Sequence, residues 1–265
     1  GKDNGSLKDF GIKFEIIDMI GDEIDIKKCI KEIGEKKPKM VYIQRSRGYS
    51  LRNALSIKQI EEAIKVVKQI TDAPVIIDNC YGEFTETKEP TDVGADLVIG
   101  SLLKNMGGGI APTGGYIAGR EDLIELISYK MTSPALGVDT GSYEPGYKLF
   151  FQGLFQSPHI VAGAKKLVAL TCVAMNKLGY NTIPAITDTF ADIVCCIEFN
   201  DKNKLINFTR AIQYSSAIDS DSTLEAGEMD GYEDLIIMAS GSFNQGSSIE
   251  LSCDGPMREP YAGFL

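Results

Sequence analysis

The chain has 265 residues, of which 43% are hydrophobic and 24% charged, proportions that are ordinary for a globular protein with a large core. Its formal net charge of −10 argues against nucleic acid or an anionic membrane as a partner. No apolar run reaches about 18 residues, so the sequence predicts no transmembrane helix.

Six cysteines are scattered along the chain without a CxxC pair, and a single histidine accompanies them. Because a Cys/His zinc site needs clustered ligands, the sequence predicts no metal centre of this kind. The cysteines lie mostly in apolar segments, which is typical of buried free thiols in a reducing cytoplasm. Neither a signal peptide nor a transit peptide is visible, so we predict a cytoplasmic protein.

The first 130 residues predict alternating strands and helices. Apolar runs indicate strands at residues 14–18, 40–44, 75–78, 96–99 and 115–119. Helical spacing of apolar residues indicates helices at residues 25–35, 56–70 and 121–129, with Ser56 as an N-cap. This order requires right-handed crossovers, and it predicts an α/β fold with a mostly parallel sheet.

The second half predicts a smaller domain. A connection rich in Gly and Pro at residues 134–146 precedes a long helix at residues 159–178, which Pro158 would begin. Strands at residues 192–199, 235–240 and 248–252 and a helix at residues 202–214 follow, with a polar loop at residues 215–231. We therefore predict part of a large domain at residues 1–145, and a connecting helix and small C-terminal α/β domain at residues 146–265.

Two arginines follow the strand at residues 40–44. Arg45 and Arg47, with Gly48 beside them, would suit an anion such as a phosphate or a substrate carboxylate. Arginines of a solvated loop fit this spacing equally well.

Two neighbouring strands deliver a carboxylate and an amine to one edge of the predicted sheet. Asp78 ends the strand at residues 75–78, and Lys104 follows the strand at residues 96–99, just before a glycine-rich loop. Ligands of open α/β sheets bind at this edge. In a dry pocket the pKa of a lysine falls, and its amine can form a Schiff base. The pair suits pyridoxal phosphate, with Asp78 holding the pyridine nitrogen protonated.

Four segments carry a resemblance to a known family. They are VYIQRSRGYSLR (residues 41–52), IIDNCYGEF (76–84), GADLVIGSLLKNMGGGIAPTGGYIAG (94–119) and GYEDLIIMASGSFNQGSSIELSCDGPMREPY (231–261). With these segments the chain resembles fold-type I pyridoxal-phosphate enzymes of the methionine gamma-lyase and cystathionine beta-lyase group. It is most similar to the branch called aluminium resistance proteins.

The resemblance implies a pyridoxal-phosphate-dependent transferase-like fold and a carbon–sulfur lyase that releases a thiolate, ammonia and a 2-oxo acid. It implies that Lys104 carries the cofactor and then removes the α-proton. Ser101 resembles the family's phosphate-contacting hydroxyl, although local backbone could satisfy it instead. Tyr81 could reach the cofactor, although an aromatic here is often packing. Arg258 resembles the family's arginine for the substrate α-carboxylate.

The resemblance also favours a substrate-facing role for at least one of Arg45 and Arg47. Family relatives work as symmetric dimers or tetramers, so we expect a homodimer or homotetramer that takes a small amino acid. In these relatives a phosphate-binding helix and a ring-stacking aromatic precede the lysine. Neither is recognisable here, so we expect the sequence to be a fragment, and to be short of the family's usual end as well.

Three other interpretations of the sequence compete with the pyridoxal-phosphate enzyme. Ser101 and Lys104 have the Ser-x-x-Lys form of penicillin-recognising enzymes, but neither a Ser-Asp-Asn nor a Lys-Thr-Gly partner occurs. The glycines of residues 107–115 are wrongly spaced for a dinucleotide fold. The third alternative is a catalytically silent protein of the same fold that acts through assembly or interaction. The presence of both Asp78 and Lys104 argues against this alternative.

Overall fold

The computed structural model describes residues 5–141 and 143–265. Within these ranges the chain forms five α-helices and nine strands. The helices are α1 (Ile26–Lys36), α2 (Ile57–Ile70), α3 (Glu121–Met131), α4 (Lys148–Lys177) and α5 (Lys202–Tyr214). The strands are β1 (Val41–Gln44), β2 (Val75–Asp78), β3 (Leu97–Ser101), β4 (Gly115–Gly119), β5 (Asn181–Ile183), β6 (Cys196–Glu198), β7 (Ile236–Ser240), β8 (Ser252–Pro256) and β9 (Ala262–Phe264).

The first sheet has the strand order β1-β2-β3-β4. Strands β1, β2 and β3 are parallel, and β4 pairs antiparallel with β3. The predicted α/β class and parallel sheet are thus confirmed. The register places Gln44 beside Asp78, so the last residues of β1 and β2 lie at the same edge.

Helices α1 and α2 form because their apolar residues fall on one face and their ends are capped. Asp25 accepts a hydrogen bond from the Lys28 amide, and Ser56 forms a capping box with Gln59. The apolar faces pack on the sheet in a core that includes Ile60, Ile64, Val75, Ile77 and Val98. The predicted helices in this part of the chain are confirmed to within one or two residues.

The second sheet is antiparallel, with the strand order β5-β6-β9-β8-β7. Its core lies between α4, α5 and the sheet, and contains Val168, Cys172, Leu205 and Ile237. Helix α5 and strand β7 lie where the sequence predicts them. The boundary between residues 145 and 146 stays a prediction.

Two predicted strands are corrected, and a third is shorter than predicted, since within residues 192–199 the strand is Cys196–Glu198. Residues 14–18 form no strand, and Phe14 and Ile16 are exposed. Residues 248–251 are irregular, and the strand in this region is β8, which begins at Ser252. The sequence also missed β5 and β9, because strands of three residues have no clear period.

Helix α4 begins at Lys148, so Pro158 lies inside it instead of starting it. By length and composition alone α4 is long and apolar enough to cross a membrane, a feature that the sequence analysis missed, and 28% of its most apolar stretch is buried. In this structure Val161 packs with Ile193 and Ile249, while Val168 and Cys172 pack under the second sheet. The helix therefore contributes to two separate cores.

The first turns of α4 pack against the loop that follows Lys104. A Cβ atom on Gly153 would lie 2.2 Å from the Gly107 carbonyl oxygen, and one on Gly107 would lie 1.7 Å from the Leu102 oxygen. Ser157 Oγ adds a hydrogen bond of 2.8 Å to the Met106 oxygen. Only glycine, which has no Cβ atom, allows the backbone to approach so closely. These glycines therefore set the position of the loop.

We expect Gly153→Ala to lower the free energy of unfolding by about 1–3 kcal/mol or more, because the methyl group overpacks this contact. Gly163→Ala is the matched control in the same helix, since a Cβ at Gly163 meets no atom within 4 Å. There alanine should raise stability by about 0.5–1 kcal/mol through helix propensity. Denaturant unfolding measures both changes, and equal effects at the two glycines would contradict the assignment.

Candidate active site

A cavity of about 740 Å³ is lined by residues of both sheets and of α4. Gln44 and Asp78 reach it from the carboxyl ends of β1 and β2, and Lys104 reaches it three residues after β3 ends. Residues 246–252 and Asp254 line another side. The cavity therefore lies at the edge of the parallel strands where α/β proteins bind ligands.

Lys104 lies against an aromatic ring inside the cavity. Its Nζ is 4.3 Å from the centroid of the Tyr81 ring, within the range of a cation–π interaction. Burial lowers the pKa of Lys104, but Tyr81, Cys80 and Asp78 raise it, and the resulting pKa lies above the ordinary value. The fall in pKa expected from the sequence is therefore wrong for this site without a cofactor, because three nearby groups stabilise the ammonium.

Tyr81 is fixed from both ends. Its backbone has a φ of 69°, a conformation that is uncommon for a residue with a side chain. Its hydroxyl lies 3.0 Å from Ser248 Oγ, in the segment before β8. Burial raises the pKa of Tyr81, so the phenol stays neutral. These contacts hold the ring beside the Lys104 amine.

The Asp78 carboxylate uses only part of its capacity to accept hydrogen bonds. Oδ2 accepts a hydrogen bond of 2.9 Å from the Tyr42 hydroxyl, and Oδ1 accepts one of 3.1 Å from the Cys80 amide. A carboxylate has about four lone-pair positions, so further donors can bind. Burial raises the pKa of the Cys80 thiol to about 11, against the opposing effect of Lys104.

Ser101 ends β3 and does not line the cavity. Its Oγ accepts a hydrogen bond of 3.1 Å from the Leu103 amide. The hydroxyl therefore stabilises the turn between β3 and Lys104, which is the local-backbone alternative that the sequence left open.

Arg45 is fully buried and organises the loop after β2. Its guanidinium donates to the Gly82 oxygen at 2.9 Å, to Asn79 Oδ1 at 2.8 Å and to Glu86 Oε1 at 2.8 Å. It does not line the cavity. The substrate-binding role predicted for Arg45 is therefore corrected, because its donors are used within the fold.

Arg47 lines the cavity but is already paired. Its Nε and Nη2 donate to Asp192 at 3.3 and 3.1 Å, and Nη1 donates to the Ile183 oxygen at 2.6 Å. Both members of this ion pair are almost fully buried. Since Arg47 follows β1 and Asp192 precedes β6, the pair links the two halves of the described chain.

We expect Asp192→Ala to destabilise the protein by about 3–5 kcal/mol, because it leaves the Arg47 charge buried without a partner. Asp234→Ala, which removes the partner of the half-exposed Arg258, is the control and should cost at most about 1 kcal/mol. Chemical denaturation of both variants measures the difference. Similar losses in the two variants would show that burial does not set the energy of the pair.

Arg258 lies outside the cavity. It donates to Asp234 Oδ2 at 2.5 Å and to the Tyr49 oxygen at 3.2 Å, and 47% of its side chain is exposed. Arg258 follows β8 and is not among the residues that line the cavity. The substrate-carboxylate role that the resemblance implies for Arg258 stays a prediction.

The sequence analysis missed two residues on the C-terminal side of the cavity. The Tyr49 hydroxyl donates to Asp254 Oδ2 at 3.3 Å, and both residues line the cavity. Burial raises the pKa of Asp254 to about 6, while the Tyr49 hydrogen bond and the Lys104 charge lower it. The sequence signal for both was their place in the family segments, Tyr49 in residues 41–52 and Asp254 in residues 231–261.

Glu83 was also missed, and it lies behind the Lys104 loop. Its side chain is fully buried, Oε1 accepts a hydrogen bond of 2.8 Å from Tyr116, and Oε2 has no partner among the described residues. Asn105, the residue after Lys104, donates to the Glu83 oxygen at 3.0 Å. Burial raises the pKa of Glu83 from 4.5 to about 7.

A glutamate whose pKa is raised in the folded state stabilises the protein below its unfolded pKa, and this contribution is lost as pH rises through the folded pKa. For Glu83 the free energy of unfolding should fall by about 3 kcal/mol between pH 4.5 and about 7. Glu83→Gln should therefore flatten the pH dependence of stability in this range. Urea unfolding at a series of pH values tests this.

Glu121→Gln, which changes an exposed carboxylate on α3, is the control and should retain the wild-type pH profile. An unchanged profile for Glu83→Gln as well would show that Glu83 is ionised throughout this range.

The cysteines agree with the sequence analysis in part. All six cysteines are free thiols, and five of them are buried. Cys80 is the exception, since it is half-buried; it lines the cavity, as the buried Cys195 also does. Across residues 5–141 and 143–265, no group of three or more His, Cys, Asp or Glu side chains is arranged to hold a metal ion.

Comparison with solved structures first defines the fold. The pyridoxal-5′-phosphate dependent protein YhfS from Escherichia coli superimposes with a TM-score of 0.55 over 91% of this chain and 60% of its own, at 15% identity. This similarity shows the fold alone, and it is the fold of a pyridoxal-phosphate-dependent protein. The mixed α/β architecture predicted from the sequence agrees with it.

The family follows from closer matches. The methionine gamma-lyase family model matches residues 1–265, so the chain belongs to the methionine gamma-lyase family. The uncharacterized protein YnbB of Bacillus subtilis is 43% identical over all of this chain and 63% of its own length. An uncharacterized 33.9 kDa protein of Lactobacillus delbrueckii subsp. bulgaricus is 39% identical over all of this chain and 87% of its own.

Two solved structures match the whole of this chain. A carbon–sulfur lyase involved in aluminum resistance from Clostridium novyi NT is 46% identical, with a TM-score of 0.92 over 100% of this chain and 62% of that chain. A "putative cystathionine beta-lyase involved in aluminum resistance" from Clostridium acetobutylicum is 44% identical, with a TM-score of 0.93 and the same coverage. The chain thus spans about three fifths of these relatives, and it belongs to the aluminium resistance branch that the sequence indicated.

Proposed function

We propose that the protein is a pyridoxal-phosphate-dependent carbon–sulfur lyase. It eliminates a thiolate from a sulfur-containing amino acid of the cystathionine or methionine type and releases ammonia and a 2-oxo acid. The observation that carries this proposal is the presence of Lys104 and Asp78 in one cavity, at the carboxyl edge of parallel strands, in a chain of the methionine gamma-lyase family.

The residues present fit the reactive half of the cofactor. Lys104 supplies a primary amine for the aldehyde, and Asp78 supplies a carboxylate with free lone pairs for the protonated pyridine nitrogen. Tyr81 supplies an aromatic surface beside the amine. Ser101, proposed from the resemblance as a phosphate contact, would have to exchange its bond with the Leu103 amide for one with the phosphate.

When bound, pyridoxal phosphate supplies an electron sink for the carbanion that forms at the substrate α-carbon. The chain's own contribution is positional. Asp78 would keep the pyridine nitrogen protonated, and Lys104 would remove the α-proton of the substrate. Arg47, the one predicted substrate arginine that lines the cavity, is proposed to bind the substrate carboxylate while Asp192 holds its guanidinium plane.

We also propose that the protein is a cytoplasmic homodimer or homotetramer, without a nucleic-acid or membrane partner. Support for assembly comes from apolar side chains that remain exposed on α3 and the first half of α4. Leu126 and Met131 of α3 are each 68% exposed, and Phe155 of α4 is 86% exposed. Exposed apolar surface of this extent is typical of an interface between protein chains.

We expect Lys104→Ala to abolish the covalent adduct that borohydride traps from pyridoxal phosphate, and to reduce turnover of sulfur amino acids at least 10²–10⁴-fold. Visible absorbance, peptide mapping of the reduced adduct and release of ammonia and 2-oxo acid measure this. Lys130→Ala, on the exposed face of α3, is the control and should keep both the adduct and turnover.

Full turnover by Lys104→Ala would contradict the proposal. A folded wild-type protein that forms no adduct would instead favour a silent protein that acts through assembly.

A further inference from the structure

We propose that Asp254 is the acid that protonates the sulfur of the leaving group. This inference rests on the proposed lyase function, and it assigns a residue to the second proton transfer that carbon–sulfur cleavage requires. It assigns this transfer to a residue other than Lys104, the proposed base at the α-carbon. Asp254 lies in the wall of the cavity that faces the first sheet.

That wall is one face of β8 and its neighbours in the second sheet. Successive residues of a strand point to opposite faces. Cys253 and Gly255 face α5, since Cys253 Sγ lies 3.9 Å from Thr209 Oγ1 and a Cβ on Gly255 would meet Leu205. Ser252 and Asp254 therefore face the cavity, which both of them line.

Asp254 is the one carboxylate that the paired strands of this wall present to the cavity. Its partners across the sheet are Met238 on β7 and Phe264 on β9, and both line the cavity as well. Neither side chain carries a charge. A carboxyl group between a thioether and an aromatic ring loses hydration, and this environment favours its protonated form.

Few ionisable groups from other elements face Asp254. Tyr49, after β1, donates to Oδ2 at 3.3 Å, and Oδ1 has no partner among the described residues. Lys104 is close enough to lower the pKa of Asp254, and Asp254 in turn raises the pKa of Tyr81. On its own strand, Asp254 raises the pKa of Cys253, which faces away. Oδ1 is thus the oxygen free to meet a substrate.

The charges of Asp254 and Lys104 are linked. The Lys104 ammonium lowers the pKa of Asp254, which is about 6 in its presence. A base must be neutral before it acts, and when Lys104 is neutral this lowering disappears. Neutralisation of Lys104 therefore raises the pKa of Asp254 and favours the protonated carboxyl group that elimination needs.

The proton balance then closes within the site. Lys104 takes the proton from the α-carbon. The carbon–sulfur bond breaks, its electron pair stays on sulfur, and sulfur takes the proton of Asp254 to leave as a thiol. The two residues end as an ammonium and a carboxylate, an arrangement that their mutual attraction stabilises.

The test compares two leaving groups on the protein loaded with pyridoxal phosphate. S-ethylcysteine must release a basic thiolate, whereas β-chloroalanine releases chloride, which needs no proton. For Asp254→Asn we expect kcat/KM to fall 10²–10⁴-fold with S-ethylcysteine and less than about 10-fold with β-chloroalanine. If the elimination is of the γ type, ethionine and its γ-chloro analogue form the corresponding pair.

Glu250→Gln is the matched control, because Glu250 lines the same cavity but accepts a hydrogen bond from the Phe243 amide. The ratio of the two kcat/KM values should be unchanged in this variant. Equal losses with both substrates in Asp254→Asn, or no loss with either, would overturn the assignment. A wild-type protein that converts neither substrate would instead refute the lyase proposal itself.

Two further measurements apply even if Asp254→Asn folds poorly. In the wild type, the S-ethylcysteine to β-chloroalanine ratio should fall about tenfold per pH unit above the pKa of the acid. Tyr49→Phe should move this fall to higher pH, since the Tyr49 hydrogen bond lowers the pKa of Asp254. In the protein without cofactor, the carboxylic-acid infrared band that Asp254→Asn removes should likewise persist to higher pH in Tyr49→Phe, a readout that does not depend on turnover. A ratio that does not vary with pH would overturn the proposal.

Discussion

The position of Lys104 depends on a contact between two pieces of backbone. The loop after Lys104 can lie against α4 only because Gly108 and Gly153 have no side chains. Ser157 then bonds to the Met106 oxygen and fixes the loop along the helix. The backbone next to Lys104 is therefore fixed by a helix that also packs under the second sheet.

On the other side of the cavity, buried polar side chains fix the positions of the loops. Arg45 uses its donors to shape the loop that carries Cys80 and Tyr81, and Arg47 uses its donors to reach Asp192. Burial of unpaired charges would be costly, so each arginine requires its partners to be present. The geometry around Asp78 and Lys104 is in this way tied to segments far away in the chain.

The sequence could predict what depends on local patterns. Helices α1, α2 and α5 have clear periodicity and caps, and β1, β2 and β3 are bounded by turns. Asp78 and Lys104 could be placed at one edge because parallel strands share their carboxyl ends. Their roles stay predictions, whereas their shared cavity is observed.

The remaining features are tertiary and had no local signal. Arg47 and Asp192 are 145 positions apart, and Tyr49 and Asp254 are 205 positions apart. Spacing could not tell the buried Arg45 from Arg47, and the resemblance implied a site role for Arg258, which does not line the cavity in this structure. The sequence predicts that a helix starts at Pro158, whereas α4 continues through this residue. The neighbouring Ser157 Oγ donates a hydrogen bond to the Gly153 oxygen within the helix.

The segment from Arg45 to Tyr49 connects three parts of the molecule through alternate residues. Arg45 faces the loop after β2, Arg47 faces Asp192, and Tyr49 faces Asp254 and the rings of Tyr232 and Phe264. Inserting or deleting one residue here would shift every one of these side chains to the wrong place. In this segment chain length is therefore more strictly constrained than the identity of the intervening residues, and natural variation should take the form of substitutions without gaps.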